Sequence, residues 1–325
     1  MSNLETEPAE LVCDSSTTAE AGVVILQPRD VPLGGVRAMG VRRTLPQRAR
    51  SLIGAWCFVD HYGPDDVSVT GGMVVPPHPH TGLQTASWLF AGEVEHRDSV
   101  GSLALVRPGE LNLMTAGAGI SHSEVSTPDT TALHGVQLWI ALPELTRHQA
   151  PHFENHVITP VVQSGVTLHV FLGTLAGQTA VATGDTPLVG AQIDLPVGSS
   201  IDLDVESSFE HGVLVDAGTV RFAGTTVQRN ELGVALPGRT GIRLENTGDG
   251  PARVLLLGGE PLGEQIVMWW NFIGRSHEEI MAWRAQWQAE VIDGTDTAGR
   301  FGDVAYHGAP LPAPMLPTVR LKPRR

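Results

Sequence analysis

The segment Gly72-Met73-Val74-Val75-Pro76-Pro77-His78-Pro79-His80 and the later segment His122-Ser123-Glu124 decide how this chain is interpreted. In each, two polar side chains are separated by one residue, and alternate side chains of a β-strand point to the same face. If both segments are strands that face each other, three imidazoles and one carboxylate point at one place. Such donors suit a divalent transition metal such as iron, manganese, nickel, copper or zinc.

The chain between the two segments has the pattern of short strands. Residues 86–90 (Ala-Ser-Trp-Leu-Phe) are apolar, and the turn sequence Ala91-Gly92-Glu93 follows them directly. A second turn sequence, Arg107-Pro108-Gly109-Glu110, precedes the apolar residues 111–114. Short strands punctuated by glycine and proline at this interval predict a small β-barrel or sandwich.

These motifs resemble the cupin superfamily, in the form found in pirins. Gly72, His78-Pro79-His80 and Gly92 are similar to the first cupin motif, and residues 107–124 are similar to the second motif of pirins. Further matches to pirins are residues 58–64, 133–139, 259–262 and 278–280, so that the resemblance covers most of residues 22–290. The resemblance implies an all-β fold of two tandem cupin barrels (double-stranded β-helix, or jelly-roll) with a short C-terminal helix.

The resemblance also implies a site and an activity. The metal ligands would be His78, His80, His122 and Glu124, and the usual metal would be iron, as Fe(2+), with other divalent transition metals as alternatives. Some pirins are similar to quercetin 2,3-dioxygenases, which implies a small aromatic or enol substrate, flavonol-like, and dioxygen. Glu124 is in addition the candidate catalytic residue, because a carboxylate that detaches from the metal can accept a proton.

Two alternatives from other classes remain open at this stage. The chain could be a metal- or redox-responsive regulatory protein that binds a transcription factor or a metabolic enzyme, or a cupin isomerase that does not use dioxygen. One departure from the pirin pattern bears on the choice: Thr81 and Gln84 stand where pirins have Arg and Glu. The loss of a nearby carboxylate puts the flavonol activity in question more than the metal.

The predicted domains are a disordered acidic tail (1–21), a metal-binding N-terminal cupin (22–145), a C-terminal cupin without metal (152–260) and a C-terminal helix with an extended tail (261–325). An internal repeat supports two barrels, since Ala217-Gly218-Thr219-Val220 echoes residues 91–94. Counting from the repeated turns places Asp204, Glu206, Arg243 and Glu245 at the ligand positions of the second barrel. The permanent charge of Arg243 would repel a cation there.

Other polar residues receive structural interpretations. His61 and His96 are predicted to form structural hydrogen bonds, and His134 and Gln137 to lie on opposite faces of a strand, with Gln137 lining the pocket. Ser276, followed three residues later by Glu279, forms a capping box that predicts a helix over residues 276–290. The apolar residues at helical spacing in it, expected to pack on a barrel, are Ile280, Trp283 and Trp287.

Composition and charge exclude several classes of protein. The 325 residues are 42% hydrophobic and include 37 glycines, which fits a well-buried, turn-rich β protein. The net charge of −14 argues against direct nucleic-acid binding through phosphate contacts. No apolar run is long enough for a membrane span and no secretory signal is visible. Since the two cysteines, Cys13 and Cys57, do not suggest a disulfide framework, a cytoplasmic location is expected.

Overall fold

The computed structural model describes residues 22–33, 39–296 and 299–323. The predicted acidic tail and Cys13 lie outside the described residues. The strands up to residue 163 are β1 (Val23–Leu26), β2 (Arg29–Leu33), β3 (Met39–Leu45), β4 (Trp56–Asp66), β5 (Val74–His80), β6 (Leu83–Ala91), β7 (Val94–Asp98), β8 (Leu103–Val106), β9 (Glu110–Thr115), β10 (Ile120–Ser126), β11 (Ala132–Ala141), β12 (His152–Val157) and β13 (Val161–Gln163).

Thirteen further strands follow among the described residues: β14 (Val166–Leu172), β15 (Thr174–Leu175), β16 (Gln178–Thr179), β17 (Leu188–Leu195), β18 (Ser200–Asp204), β19 (Glu210–Ala217), β20 (Val220–Phe222), β21 (Thr225–Val227), β22 (Leu232–Ala235), β23 (Gly241–Asn246), β24 (Ala252–Gly259), β25 (Val267–Trp269) and β26 (Phe272–Gly274). The helical segments are α1 (Val67–Thr70), α2 (His277–Trp287) and a π-helical turn (Gln288–Ile292).

The strands form two barrels, each made of a seven-stranded and a four-stranded sheet. In the first barrel the order is β12-β9-β6-β11-β4-β3-β2 opposite β5-β10-β7-β8, and in the second it is β1-β22-β19-β24-β17-β14-β13 opposite β18-β23-β20-β21. Within each barrel, apolar side chains from both sheets share one core; Tyr62 and Leu89, for example, pack with Val75 and Val94. The predicted all-β fold of two tandem barrels with a short C-terminal helix is confirmed.

The two seven-stranded sheets pack against each other. One apolar cluster contains Trp56 and Trp88 from the first barrel and Phe171, Leu214 and Leu255 from the second. Strands of these sheets are therefore buried on both faces, which explains why burial along β6 is continuous from Leu83 to Leu89 rather than alternating.

Two strands cross between the halves. β1, near the start of the described chain, pairs with β22 of the second barrel, whereas β12, which follows the linker at residues 142–151, pairs with β9 of the first. The predicted boundaries at residues 22 and 152 thus assign each of these strands to one barrel while its hydrogen bonds join it to the other. The exchange of edge strands ties the barrels together.

A buried polar cluster also joins the barrels. The Nε2 atoms of His61 and His134 lie 2.8 and 2.6 Å from Oδ1 of Asp216, which belongs to the second barrel. Arg253 contacts the other carboxylate oxygen at 3.3 Å. Burial would raise the pKa of Asp216, but the hydrogen bonds from His134 and His61 outweigh it and hold that pKa well below its usual range. The predicted structural role of His61 agrees with this contact.

We expect Asp216→Ala to lower the free energy of unfolding by about 3 kcal/mol, because it leaves buried imidazoles without their acceptor. Denaturant titration measures this loss. The same substitution at the exposed Asp249 is the matched control, with an expected effect below about 0.5 kcal/mol. Equal effects at both positions would contradict the assignment of an interdomain contact to Asp216.

Candidate metal centre

The two histidine-bearing segments are β5 and β10, and they are neighbours in one sheet rather than strands facing each other across the barrel. They pair antiparallel with His78 directly opposite His122, so both side chains project from the same face. A β-bulge lies between His122 and Glu124, and Glu124 therefore pairs with Val75. Bulges re-aim side chains, and this one sets the direction of the carboxylate.

Two glycines fix the ends of these strands. Gly82 follows β5 and Gly117 precedes β10, and the Gly82 N–H donates to the Gly117 carbonyl at 2.9 Å. Both have positive φ, of 69° and 49°. A Cβ at Gly82 would lie 2.1 Å from the carbonyl oxygen of Ile273, so only glycine fits between the ligand strand and the segment that packs on it.

Three imidazoles meet at one point. The Nε2 atoms of His80 and His122 are 3.1 Å apart, and the rings of His78 and His122 have centroids 4.3 Å apart. One nitrogen from each of the three rings lies within 4.8 Å of the others, and all three residues are fully buried. The Nε2 atom of His78 has no hydrogen-bond partner among the described residues. Burying a polar atom without a hydrogen-bond partner costs free energy of folding. A nitrogen that binds a metal is expected to lack a partner within the protein in this way.

This arrangement fits a metal ion. Two imidazole nitrogens bound at about 2.1 Å and at right angles are about 3.0 Å apart, close to the 3.1 Å between His80 and His122. The opposite ring nitrogens are held by other groups, since Nδ1 of His78 lies 2.9 Å from the Pro76 carbonyl and Nδ1 of His80 lies 3.1 Å from that of Asn271. Outer contacts of this kind orient imidazole ligands in metal sites.

Burial keeps the imidazoles neutral. It lowers the pKa of His78 to about 4. The pKa values of His80 and His122 lie well below the ordinary value, first because of burial and then because neighbouring imidazoles would repel a second proton. Neutral imidazole is the form that binds a metal.

Glu124 lies beside the three imidazoles of His78, His80 and His122 but is not a member of that group. Its carboxylate falls in an overlapping group with His122 and His96, again within 4.8 Å, and it is 2% exposed. The Ser87 hydroxyl lies 3.5 Å from Oε1 of Glu124 and donates to the Gln137 side chain at 2.7 Å. The structure thus brings His78, His80 and His122 together, with Glu124 adjoining through His122; the role of Glu124 as fourth ligand stays a prediction.

His96 is the residue whose position sequence reasoning did not anticipate. It forms hydrogen bonds, as predicted, but its neighbours are Nδ1 of His122 at 3.4 Å and Asp98 at 3.1 Å. The alternation of buried and half-buried residues along β7, with Val94, His96 and Asp98 all inward, is the signal that could have revealed it.

The family model "Pirin" matches residues 36–140, and "Pirin C-terminal cupin domain" matches residues 190–293. The chain is 43% identical over 291 residues to a Pseudomonas aeruginosa protein named "Putative quercetin 2,3-dioxygenase", with 89% of each chain covered. The chain belongs to the pirin family. A Caulobacter vibrioides pirin-like protein is 35% identical, with 77% of this chain and 88% of the relative covered.

A solved structure also resembles this pirin. The crystal structure of a protein titled quercetin 2,3-dioxygenase, from Acinetobacter baumannii, is 36% identical. It superimposes with a TM-score of 0.85 over 92% of this chain and 98% of that chain. The likeness therefore extends through both barrels.

The departure at Gln84 lies away from the imidazoles. Gln84 shares a face of β6 with Ala86 and Trp88, which pack in the cluster between the barrels, and it donates to Thr115. Ser87, on the opposite face of the strand, is the residue that approaches Glu124. Gln137 adjoins the same carboxylate through Ser87; that it lines a substrate pocket stays a prediction.

In the second barrel of this pirin, the residues that the internal repeat aligned with the ligand positions do not face the interior. Arg243 does not point into the barrel; it is exposed and pairs with Asp202 at 2.6 Å. Asp204 and Glu206 are likewise exposed. In the register of β18 and β23, the inward pairs are aliphatic: Ile201 opposite Leu244 and Leu203 opposite Ile242. The physical reason for expecting no metal there is therefore that the inward side chains of β18 and β23 are aliphatic, not that a guanidinium repels a cation.

The C-terminal segment packs on the ligand-bearing strands. The Ser276 side chain accepts from the backbone N–H of Glu279 and begins α2, as the capping box predicted, and the three predicted core residues of this helix are buried. Beyond the helix, the Leu311 N–H donates to the Pro77 carbonyl. The Ser121 hydroxyl donates to the Phe301 carbonyl at 2.9 Å. No helix among the described residues is long and apolar enough to cross a bilayer.

Proposed function

We propose that this pirin is an iron-dependent dioxygenase that acts on flavonol-like enols, a reaction of the quercetin 2,3-dioxygenase type. The observation that carries the proposal is the group of three buried neutral imidazoles, of which His80 and His122 direct Nε2 toward each other and His78 has an unpartnered Nε2. Structural zinc sites are closed by four ligands, often cysteine. Three imidazoles and one carboxylate leave positions open for small molecules.

The charge of the donor set suits an anionic oxygen. Three neutral imidazoles and one carboxylate would leave Fe(2+) with about one net positive charge. When bound, such an ion supplies Lewis acidity toward a substrate hydroxyl and electron exchange with dioxygen. The names of the relatives, a putative and a crystallised quercetin 2,3-dioxygenase, support this reaction class over the other activities considered.

The surroundings suit an aromatic enol. Phe58 and Trp139 are stacked with ring centroids 4.0 Å apart, and the rings of Trp139 and His80 make a T-shaped contact with centroids 5.1 Å apart. This apolar wall would pack against a planar ring and exclude water from it. Glu124 is the group placed to accept the proton of an enol hydroxyl, and its Oε1 lies 3.5 Å from the Ser87 hydroxyl.

Oxygen consumption tests the proposal. We expect the protein, loaded anaerobically with Fe(2+), to consume dioxygen in step with loss of a flavonol after air is admitted, and to consume none when the flavonol is omitted. Glu124→Gln keeps the shape but cannot take the proton, and should lower turnover by about 100-fold or more. Iron-loaded protein that leaves a panel of flavonols and related enols untouched would contradict the dioxygenase assignment.

A further inference from the structure

The three imidazoles of the candidate metal centre are not held in the same way. Nδ1 of His78 faces the Pro76 carbonyl and Nδ1 of His80 faces the Asn271 carbonyl. A carbonyl oxygen can only accept, so each Nδ1 carries the proton and each Nε2 keeps its lone pair. For these two residues the backbone alone selects the tautomer that can bind a metal.

His122 lacks such a carbonyl. Its Nδ1 faces Nδ1 of His96 at 3.4 Å, a long hydrogen bond, while its Nε2 faces His80. An imidazole nitrogen can donate or accept, depending on its own proton. This contact by itself is therefore compatible with either tautomer of His122, including the one with a proton on Nε2 that cannot bind a metal.

Asp98 biases the choice between the two tautomers of His122. Nε2 of His96 lies 3.1 Å from Oδ2 of Asp98, and an ionised carboxylate only accepts. The other oxygen, Oδ1, already accepts from the backbone N–H groups of Val100 and Ser102, at 3.1 and 2.9 Å. A neutral His96 therefore carries its proton on Nε2 and offers a lone pair at Nδ1, which favours a proton on Nδ1 of His122. The lone pair on Nε2 of His80, 3.1 Å from Nε2 of His122, favours the opposite tautomer.

The hydrogen-bond relay formed by Asp98, His96 and His122 is buried, and its central ring, that of His96, is fixed. His96 and Asp98 are 3% and 4% exposed, so little solvent competes for these contacts. The ring of Phe153 stacks on that of His96, with centroids 4.5 Å apart and an angle of 17° between the planes. Phe153 lies on β12, so the strand that crosses from the linker to the first barrel holds the His96 ring in plane.

We infer that His96 and Asp98 are positioning residues that set the tautomer of His122 and thereby the metal affinity of the centre. The inference rests on the metal site of the proposed function, but not on the choice of substrate. The Asp98 carboxylate acts on the metal position through two imidazoles, those of His96 and His122. Neither its burial nor the spacing of the ligands would assign this role to it.

The isosteric change Asp98→Asn makes the inference testable. If the amide carbonyl keeps the two backbone N–H groups, the NH2 group faces His96, whose Nε2 must then accept. The His96 proton moves to Nδ1, Nδ1 of His122 must accept, and the His122 proton is left on Nε2. One carboxylate-to-amide change thus reverses the direction of each hydrogen bond in the relay.

Two measurements test this, the first without metal. In long-range 1H–15N spectra of histidine-labelled, metal-free protein, we expect the fraction of His122 that carries its proton on Nδ1 to be larger in the wild type than in Asp98→Asn. In anaerobic titration with Co(2+), followed by its visible absorption bands, we expect Asp98→Asn to bind about 10- to 100-fold more weakly.

Matched variants separate the relay from general damage. His96→Gln can accept from His122 and donate to Asp98, so it should retain affinity close to that of the wild type, whereas His96→Leu should lose affinity as Asp98→Asn does. Glu95→Gln removes a carboxylate on the same strand, one that pairs with Arg97, and should change neither readout.

A wild-type His122 protonated entirely on Nε2 would overturn the inference even if the variants did not fold. So would unchanged tautomer and Co(2+) affinity in a folded Asp98→Asn protein. Failure of the wild type to bind Co(2+) at all would count instead against the metal site of the proposed function, because the tautomer measurement needs no metal.

Discussion

His80→Ala and His122→Ala, each alone, should lower the iron bound per chain by a factor of ten or more. Each change removes one of the two Nε2 atoms that face each other at 3.1 Å, and the remaining donors cannot replace it. Elemental analysis after anaerobic loading with Fe(2+) and desalting measures the loss. Full retention of iron in either variant would reject the ligand set.

The second barrel supplies controls for this experiment. Arg243→Ala and Glu206→Gln change residues at the positions that the internal repeat aligns with the ligands, yet both side chains are exposed on the structure. We expect both variants to retain the iron content of the wild type. Loss of a further equivalent of metal from either one would reveal a second site and overturn the prediction of a single metal per chain.

The second large effect is the dependence of the stability of the metal-free protein on pH. The metal-free protein should lose stability as the pH falls from about 6.5 toward 4. Burial lowers the pKa of His78 to about 4 in the folded chain, so below about pH 6.5 the unfolded chain takes up a proton that the folded chain does not. His78 alone then contributes a loss of about 3 kcal/mol across this window. His80 and His122, whose pKa values are lowered further, act in the same direction.

Denaturant titrations at a series of pH values measure this dependence. His78→Gln removes one titrating group and should flatten the profile between pH 6.5 and 4. Asp216, with its depressed pKa, contributes in a separate window, below about pH 3.9, where its carboxylate is protonated in the unfolded chain first. A metal-free stability that stays level from pH 6.5 to 4.5 would contradict the description of these imidazoles as buried and neutral.

The fold and the outline of the site were accessible from the sequence because they depend on periodicity. Spacing of i, i+2 places His78 and His80 on one face of any strand, and the capping box at Ser276 fixes a helix start through local hydrogen bonds. Glycine and proline mark the turns in both halves. These features depend on residues close together in the sequence, so they do not require knowledge of tertiary contacts.

Features that depend on register were not accessible. The repeat located turns correctly, but a one-residue difference in strand phase turns every side chain to the other face, which is why Arg243 was expected inside the barrel and lies outside. The bulge at Glu124 is likewise a property of the pairing with β5. The exchange of β1 and β12 between barrels, and the approach of His96 to His122, follow from contacts between distant segments that no local pattern encodes.

The most direct test of the account is crystallographic. Crystals of the protein loaded anaerobically with Fe(2+) should show, in anomalous maps from data on either side of the iron edge, one peak per chain within about 2.1 Å of Nε2 of His78, His80 and His122. The Glu124 carboxylate should complete the set. A peak at another place, a second peak of equal height, or no peak at these imidazoles would contradict the account.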